Sequence, residues 1–227
     1  MLSHKGTNPT KTGSHNGYHP GDYSFPRTGR ERFEICIGAI LAQNTAWPNV
    51  EKALLALDAK GAIDAKKILA MPSPSLKSHI RSAGYFNQKA KKLKLFSKFY
   101  LALKGRTPSR DELLSVWGIG PETADSILLY AYKRPYFVVD AYTRRFCAHH
   151  GLCKNAHSYE HCRAFFDENL SNTVRSGQIN DRCILFTGDT VLPRSVPLYQ
   201  EFHALIVEWG KSKKGSAKTT RGKSKGG

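Results

Sequence analysis

Acidic residues, cysteines and long apolar runs are all scarce in this 227-residue sequence. Asp and Glu number 18 against 35 Lys and Arg, so the formal net charge is +17. No apolar run approaches the roughly 18 to 20 residues that a membrane-spanning helix requires, and the N-terminus has no apolar core of a secretory signal. We therefore expect no membrane association and a soluble, cytoplasmic protein.

The five cysteines are odd in number and irregularly spaced: Cys36, Cys147, Cys153, Cys162 and Cys183. Cys147, Cys153 and Cys162 could gather a metal ion, but thiols in such a pattern are more often simply buried or at the surface. We accordingly expect no metal site.

The excess of positive charge predicts a polyanionic partner. Residues 211–227 hold seven basic residues and no acidic one, and without those seven the chain still carries +10. Nucleic acid fits such a charge, although a basic proteome or a solubility requirement would give the same balance. Residues 1–21 and 211–227 have little apolar content, which predicts disordered tails around a folded region.

Apolar residues recur at helical spacing, and no stretch of any length alternates as a half-buried strand does, which predicts an all-α fold. The longer predicted helices are 30–44, 49–57, 64–70, 75–82, 88–104, 141–151, 158–170, 176–186 and 198–209. The fifth of these has a lysine-rich side that we expect to face solvent and that could lie near DNA: Lys89, Lys91, Lys92, Lys94 and Lys98.

The most informative stretch is 113–140. A short apolar helix ends near Val116, Gly118 and Gly120 allow a tight hairpin, and Pro121 suits the first position of the next helix because its missing N–H is unpaired there anyway. The second helix then begins with free N–H groups and the positive end of its dipole, which attract a phosphate. The alternative is a plain turn between two helices.

Asp140 ends the run Val138-Val139-Asp140 and begins a predicted helix. An aspartate at this position commonly caps the helix. A carboxylate can also stabilise a positive charge that develops in a reaction, and can orient or deprotonate a water. Both roles are compatible, since a capping side chain is held rigidly, and we interpret Asp140 as the candidate catalytic residue.

Together, the hairpin and the aspartate that follows it resemble the helix-hairpin-helix motif and invariant aspartate of the endonuclease III superfamily of DNA glycosylases. The resemblance runs from about Phe33 to about Trp209. It implies a two-lobed fold with a central cleft, in which the hairpin faces Asp140. The implied parts are a helical barrel lobe at 33–139 with the motif at 113–131, and a second lobe made of 22–32 plus 140–210.

The sequence departs from that family at two informative points. Bifunctional members carry a Schiff-base lysine two residues after the second glycine of the hairpin, where this chain has Glu122. A carboxylate cannot form an imine with a sugar aldehyde, so lyase chemistry by that route is excluded. Glu122 then either touches the base or compensates the helix dipole. Many relatives also bind a [4Fe–4S] cluster through four closely spaced cysteines near the C-terminus, and this pattern is missing, so we expect no cluster and no other cofactor.

The resemblance also assigns DNA contacts to the hairpin and to the end of the first predicted helix. The main-chain N–H groups of Gly118, Ile119 and Gly120 would hold a backbone phosphate, and their carbonyls could share a monovalent cation. Gln43 and Asn44 match a wedge that fills the gap left by a flipped nucleotide. The alternative for these two residues is a polar C-cap.

Among the branches of the superfamily, this chain looks closest to 3-methyladenine DNA glycosylase III and its endonuclease III-related relatives. They too have glutamate at the lysine position, and they share the run Gln43-Asn44-Thr45 followed by an aromatic residue, here Trp47. Trp47 matches a residue that stacks on the flipped base, although an ordinary core tryptophan would look the same. Phe25 and Pro26 resemble a tryptophan-proline element of the same pocket, with phenylalanine in place of tryptophan.

We therefore predict a monofunctional DNA N-glycosylase of base excision repair that acts as a nucleoid-associated monomer on duplex DNA with a damaged base. A purine methylated at N3 or N7 is cationic and leaves readily, and an aromatic pocket favours a cation. An alkylated purine such as 3-methyladenine is thus the expected substrate. The alternatives are a glycosylase for a mismatched or oxidised pyrimidine, and a non-catalytic protein that uses the hairpin only to grip DNA.

Overall fold

The computed structural model describes residues 23, 25–153, 158–175 and 195–221, with the backbone alone at 173–175 and 213–221. Every regular element in this part of the chain is a helix, which confirms the all-α prediction. The α-helices are α1 Gly29–Leu41, α2 Trp47–Asp58, α3 Ala65–Ala70, α4 Ser73–His79, α5 Phe86–Ala102, α6 Arg110–Leu114, α7 Pro121–Ser126, α8 Ala141–His150, α9 Tyr159–Arg175 and α10 Ser195–Arg221. A 3₁₀ turn, Arg81–Ala83, precedes α5, and a π-helical segment, Ile127–Ala131, continues α7.

Side-chain caps fix several helix starts. Thr28 and Glu31 form a capping box at the start of α1, and Ser109 and Glu112 form another at α6. Each box satisfies two N–H groups that the helix itself cannot bond. Asp64 caps α3 by accepting the N–H of Lys67 at 2.9 Å. These capping residues mark the helix starts in the sequence, at positions close to those that the apolar periodicity predicted.

Three predicted segments lie wholly or partly outside the described residues. The predicted tail at 1–21 and the predicted helix at 176–186 lie outside them. α10 extends to Arg221, so a described helix includes the first part of the predicted basic tail at 211–227. No helix among the described residues is long and apolar enough to cross a membrane.

The buried apolar side chains form two clusters. The first lies among α1 to α7 and includes Ile37, Leu54 and Phe96. The second joins α8, α9 and α10 to Leu129, Tyr130 and the run from Phe137 to Val139. Since Ala131 belongs to the first cluster, the segment between 129 and 139 contributes to both clusters, and the division into lobes at 139 stays a prediction.

A buried ion pair connects the helices of the hairpin motif to α9. Asp125 on α7 is fully buried and accepts hydrogen bonds from Arg110 Nε at 2.7 Å and from Tyr159 Oη at 2.8 Å. Burial acts to raise the pKa of Asp125, and these partners act against it. Removing one partner of such a pair leaves an uncompensated buried charge, so the position of the hairpin relative to α9 is strongly constrained.

Candidate active site and DNA-binding hairpin

The hairpin between α6 and α7 uses its two glycines differently. Gly118 has φ +86°, and a Cβ there would lie 2.7 Å from side-chain carbons of Lys92, so only glycine fits without strain. Gly120 has an ordinary φ of −94°, and a Cβ there would meet nothing within 4 Å. The fold therefore requires glycine at 118 only, and the backbone at 120 is open to an approaching molecule.

Two of the three hairpin amides that the sequence assigned to phosphate binding are still available. Ile119 donates its N–H to Val116 O at 3.0 Å. Within the described part of the chain, neither Gly118 nor Gly120 donates its N–H in a hydrogen bond. Amides at a turn before a helix are suited to an anion. A phosphate at this hairpin would thus be held mainly by the N–H groups of Gly118 and Gly120.

Gln43 fastens the end of α1 to the hairpin. Its Nε2 donates to Gly118 O at 3.0 Å and to Thr123 Oγ1 at 2.9 Å, and its Oε1 accepts from Lys92 Nζ. The carbonyl of Gly118, which the sequence also offered to a monovalent cation, is thus already an acceptor. Asn44 is exposed and has φ +53°. Of the two predicted wedge residues, Asn44 is the one that faces outward, and Gln43 holds the hairpin.

Lys89 fixes the neighbouring turn and corrects one prediction. Its Nζ donates to Leu41 O, Ala83 O and Thr45 Oγ1 at 2.7 to 2.8 Å, and its side chain is only 2% exposed. The predicted solvated face is therefore wrong for Lys89, which lies on the same side of α5 as the buried Leu93. Burial lowers the pKa of Lys89 to about 8, so at neutral pH the ammonium still provides all three donors.

Tyr85 is an exposed aromatic residue that sequence periodicity did not single out. Its side chain is 68% exposed, and its backbone has a left-handed φ of +45° just before α5. Ala83, two residues earlier, is bonded through its carbonyl to both Lys89 and Thr45. These bonds hold Tyr85 near the turn that carries Asn44. An exposed aromatic ring can stack on a nucleobase. This possible role of Tyr85 is visible from its exposure in the structure and not from the sequence.

Asp140 is the N-cap of α8, as predicted. Its Oδ1 accepts from the N–H of Thr143 at 2.7 Å and from Thr143 Oγ1 at 3.1 Å. Its Oδ2 lies 3.6 Å from Nε2 of His203, and neither of these two buried atoms has a hydrogen-bond partner in the described part of the chain. His203 is positioned by a 2.7 Å hydrogen bond between its Nδ1 and Tyr130 Oη.

The surroundings of Asp140 favour its ionised form. Burial acts to raise the pKa of this fully buried carboxyl, but the nearby imidazole of His203 and the hydrogen bonds from Thr143 outweigh burial, so the pKa lies below its usual value. One oxygen is occupied by Thr143, and the other is free of hydrogen bonds. The site thus holds a rigid carboxylate with one oxygen available to a new partner.

Glu122 places the hairpin motif beside Asp140. It stands in the first turn of α7 and lies 3.9 Å from Arg144 Nη2 of α8. Burial and the negative charge of Asp140 both raise the pKa of Glu122. The structure therefore brings the hairpin helix and the start of α8 together, with Glu122 near Asp140. The cleft between the hairpin and Asp140 that the resemblance implies stays a prediction.

The residues that the sequence predicted for the base pocket are less closely grouped than Glu122 and Asp140. Trp47 is the first residue of α2, is half-buried, and packs against the first cluster with its ring near Gly38. Phe25 and Pro26 are also half-buried, and the guanidinium of Arg27 lies 4.5 Å from the centre of the Phe25 ring. Within the described part of the chain, the rings of Trp47 and Phe25 do not contact each other, and the pocket role of these residues stays a prediction.

A helix-hairpin-helix motif followed by a capping aspartate at the start of the next helix defines a class of DNA repair proteins, and comparison with known proteins agrees. Residues 37–172 match the model of the HhH-GPD superfamily of base excision DNA repair proteins. This match covers more than half of the chain. The protein belongs to this family.

Individual relatives support the same assignment. The chain is similar to a protein of Methanocaldococcus jannaschii provisionally named a DNA repair glycosylase, with 39% identity over 78% of this chain and 76% of the relative. It is also similar to H. pylori 3-methyladenine DNA glycosylase (MagIII) bound to 1,N6-ethenoadenine, with a TM-score of 0.68 and 30% identity over 80% of this chain and 85% of that one. A non-covalent complex of endonuclease III with DNA matches with a TM-score of 0.55 and 26% identity over 60% and 64% of the two chains. The protein is thus a DNA-binding glycosylase of base excision repair.

Proposed function

We propose that this protein is a monofunctional N-glycosylase that flips an alkylated purine out of duplex DNA and releases it by hydrolysis. The observation that carries the proposal is the position of the Asp140 side chain, which Thr143 holds at the start of α8, beside a hairpin helix with Glu122, not lysine, in its first turn. A carboxylate can stabilise a cationic sugar and activate water. A glutamate at position 122 cannot form the covalent imine that lyase chemistry requires.

The free Oδ2 of Asp140 is the atom to which we assign the chemistry. Thr143 keeps Oδ1 in place, so the carboxylate cannot rotate away without losing two hydrogen bonds. Oδ2 can stabilise the positive charge that develops on the sugar and can accept a proton from the attacking water. Since Asp140 is fully buried, side chains that cover it must shift when the sugar enters. His203, whose Nε2 faces the same oxygen, is one such side chain.

The expected leaving group follows from assigning the chemistry to Asp140 alone. A purine alkylated at N3 or N7 is already cationic, so it needs little protonation by a general acid. A damaged base also costs less to unstack than a normal one. The half-buried Trp47 offers a face on which a cationic base is favoured by up to about 2 kcal/mol when water is excluded. The structural likeness to a 3-methyladenine glycosylase supports the same substrate class.

The open backbone at Gly120 gives a prediction for DNA binding. We expect Gly120→Ala to weaken binding to a duplex with an abasic site by about tenfold, because the added methyl blocks the close approach of one phosphate. The melting temperature should stay nearly unchanged, since among the described residues only the chain neighbours of Gly120 lie within 4 Å of that methyl. Fluorescence anisotropy at one fixed salt concentration measures the affinity.

Gly29→Ala is the matched control for this variant. A Cβ at Gly29 also meets nothing within 4 Å, and this residue begins α1, at the end opposite to Gln43. Its affinity should equal that of the wild type. Equal affinities of Gly120→Ala and wild type would show that no phosphate approaches the hairpin at this point.

The substrate class is tested with duplexes that each carry one defined lesion. We expect release of 3-methyladenine, and much slower release of thymine from a mismatch, of uracil and of an oxidised pyrimidine. Trp47→Ala should lower the release of the alkylated purine by about tenfold, as loss of one stacked ring costs about 1 to 3 kcal/mol. Faster release of a pyrimidine than of the alkylpurine would refute the assigned substrate but not the glycosylase class.

A further inference from the structure

Three cysteines of the second cluster lie together at the junction of α8 and α9. The Sγ atoms of Cys147, Cys153 and Cys162 all lie within 4.8 Å of one another, and those of Cys147 and Cys153 are 3.1 Å apart. Cys147 and Cys162 are fully buried and Cys153 is partly exposed. The sequence predicted ordinary thiols here because the spacing of 147, 153 and 162 matches no regular ligand pattern, but the fold supplies the proximity that spacing does not show.

The local backbone explains how the three thiols meet. α8 ends at Gly151, which has a left-handed φ of +63°, and Leu152 donates its N–H to the carbonyl of Cys147. This helix end reverses the chain, so Cys153 returns towards Cys147 in the last turn of α8. Cys162 then reaches the same point from α9. Two helices and the turn between them each provide one sulfur.

We propose that Cys147, Cys153 and Cys162 form a binding site for one thiophilic metal ion, of which Zn²⁺ is the expected occupant. Zinc binds thiolate sulfur at about 2.3 Å in a tetrahedron, which separates the sulfurs by roughly 3.8 Å. In the structure one pair of sulfurs is 3.1 Å apart and all three separations are within 4.8 Å, a range that includes that value. The described residues thus supply three of the four ligands of a tetrahedral ion, and small side-chain movements bring them to the required distance.

The surroundings are compatible with a thiolate site. The positively charged guanidinium of Arg144 lies near enough to Cys162 to favour a thiolate there. A bound cation displaces thiol protons, and three thiolates on one Zn²⁺ leave a single negative charge, which Arg144 partly balances. Within the described part of the chain, no carboxylate belongs to this group of ligands. Soft thiolate ligands select zinc over magnesium or calcium.

The ion would stabilise the helix that carries the candidate catalytic residue. Cys147 stands seven residues after Asp140 on α8, about 10 Å along the helix. A metal bridge from Cys147 to Cys162 ties the C-terminal end of α8 to α9. We therefore expect the metal mainly to raise the melting temperature and to hold Asp140 at its position beside Glu122. We do not expect it to take part in base release.

Cobalt titration of the untagged full chain tests the site. Once a thiol assay shows that all cysteines are reduced, Co²⁺ should bind at about one ion per chain. It should give a thiolate-to-cobalt charge-transfer band, which histidine ligands elsewhere in the chain do not produce. Zn²⁺ should displace the cobalt and raise the melting temperature. Cys153→Ser, which changes the most exposed of the three ligands, should weaken cobalt binding by at least about tenfold.

Cys36→Ser is the matched control, because Cys36 is a buried thiol of the first cluster, apart from the other three. It should keep the charge-transfer band and the cobalt affinity. Circular dichroism of Cys153→Ser confirms that the variant is folded. The proposal is overturned if reduced wild-type protein gives no charge-transfer band, if Cys153→Ser keeps the wild-type spectrum, or if Cys147 and Cys153 form a disulfide that persists in reducing buffer.

Discussion

Asp140→Asn is expected to abolish base release while leaving the fold and DNA binding in place. Asparagine caps a helix as well as aspartate does, so it can still accept the N–H of Thr143 that Oδ1 accepts now. It lacks the negative charge that stabilises the cationic sugar and the basicity that activates water. We expect the single-turnover rate of alkylpurine release to fall by about 10³-fold, with the affinity for abasic-site duplex within about twofold of wild type.

Asp64→Asn is the matched control for this variant, since Asp64 caps α3 in the same manner, away from the hairpin. It should release the base at the wild-type rate. If Asp140→Asn kept most of the activity, Asp140 would be a helix cap and nothing more. If it lost activity only together with its melting transition, the effect would be structural.

Glu122→Lys is expected to introduce a covalent intermediate that the wild type does not form. Position 122 lies beside Asp140, and Arg144 of α8 lies 3.9 Å from the present carboxylate. A neighbouring positive charge lowers the pKa of a lysine and favours the neutral amine that attacks an aldehyde. Incubation with an abasic-site duplex and borohydride should therefore trap at least about tenfold more protein–DNA complex with Glu122→Lys than with the wild type.

Glu122→Gln separates the added amine from the lost charge. It removes the carboxylate without supplying a nucleophile, so it should give no more trapped complex than the wild type. Trapping by the wild type at the level of Glu122→Lys would mean that another amine forms the imine, and the proposed monofunctional mechanism would then be wrong. Trapping by neither variant would place position 122 too far from the sugar.

Much of the fold was predictable because it depends on local chemistry. The hairpin motif contains Gly118, at a position whose positive φ requires glycine, and Pro121, at the first position of α7. Asp140 could be recognised because a capping aspartate leaves a local signal that does not depend on tertiary contacts. The periodicity of apolar residues predicted the helices because burial of one face determines where each helix forms.

The features that sequence reasoning missed all depend on contacts between distant segments. The lysines of α5 look alike in the sequence, yet Lys89 is buried and bonds three oxygen atoms from two other turns. His203 meets Asp140 from 63 residues away, and no pattern in either segment indicates the pairing. Gln43 donates a hydrogen bond to the carbonyl of Gly118, 75 residues further along the chain, and its wedge role stays a prediction. Tertiary contacts decide which member of a polar group is exposed.

The most direct test of the proposed function is the product of a single turnover of the full-length protein on a duplex with one 3-methyladenine. The account predicts free 3-methyladenine together with a strand that stays intact until alkali cleaves it at the abasic site. A strand that is cut before alkali is added, or a duplex that keeps its modified base while Asp140 is intact, would contradict the account.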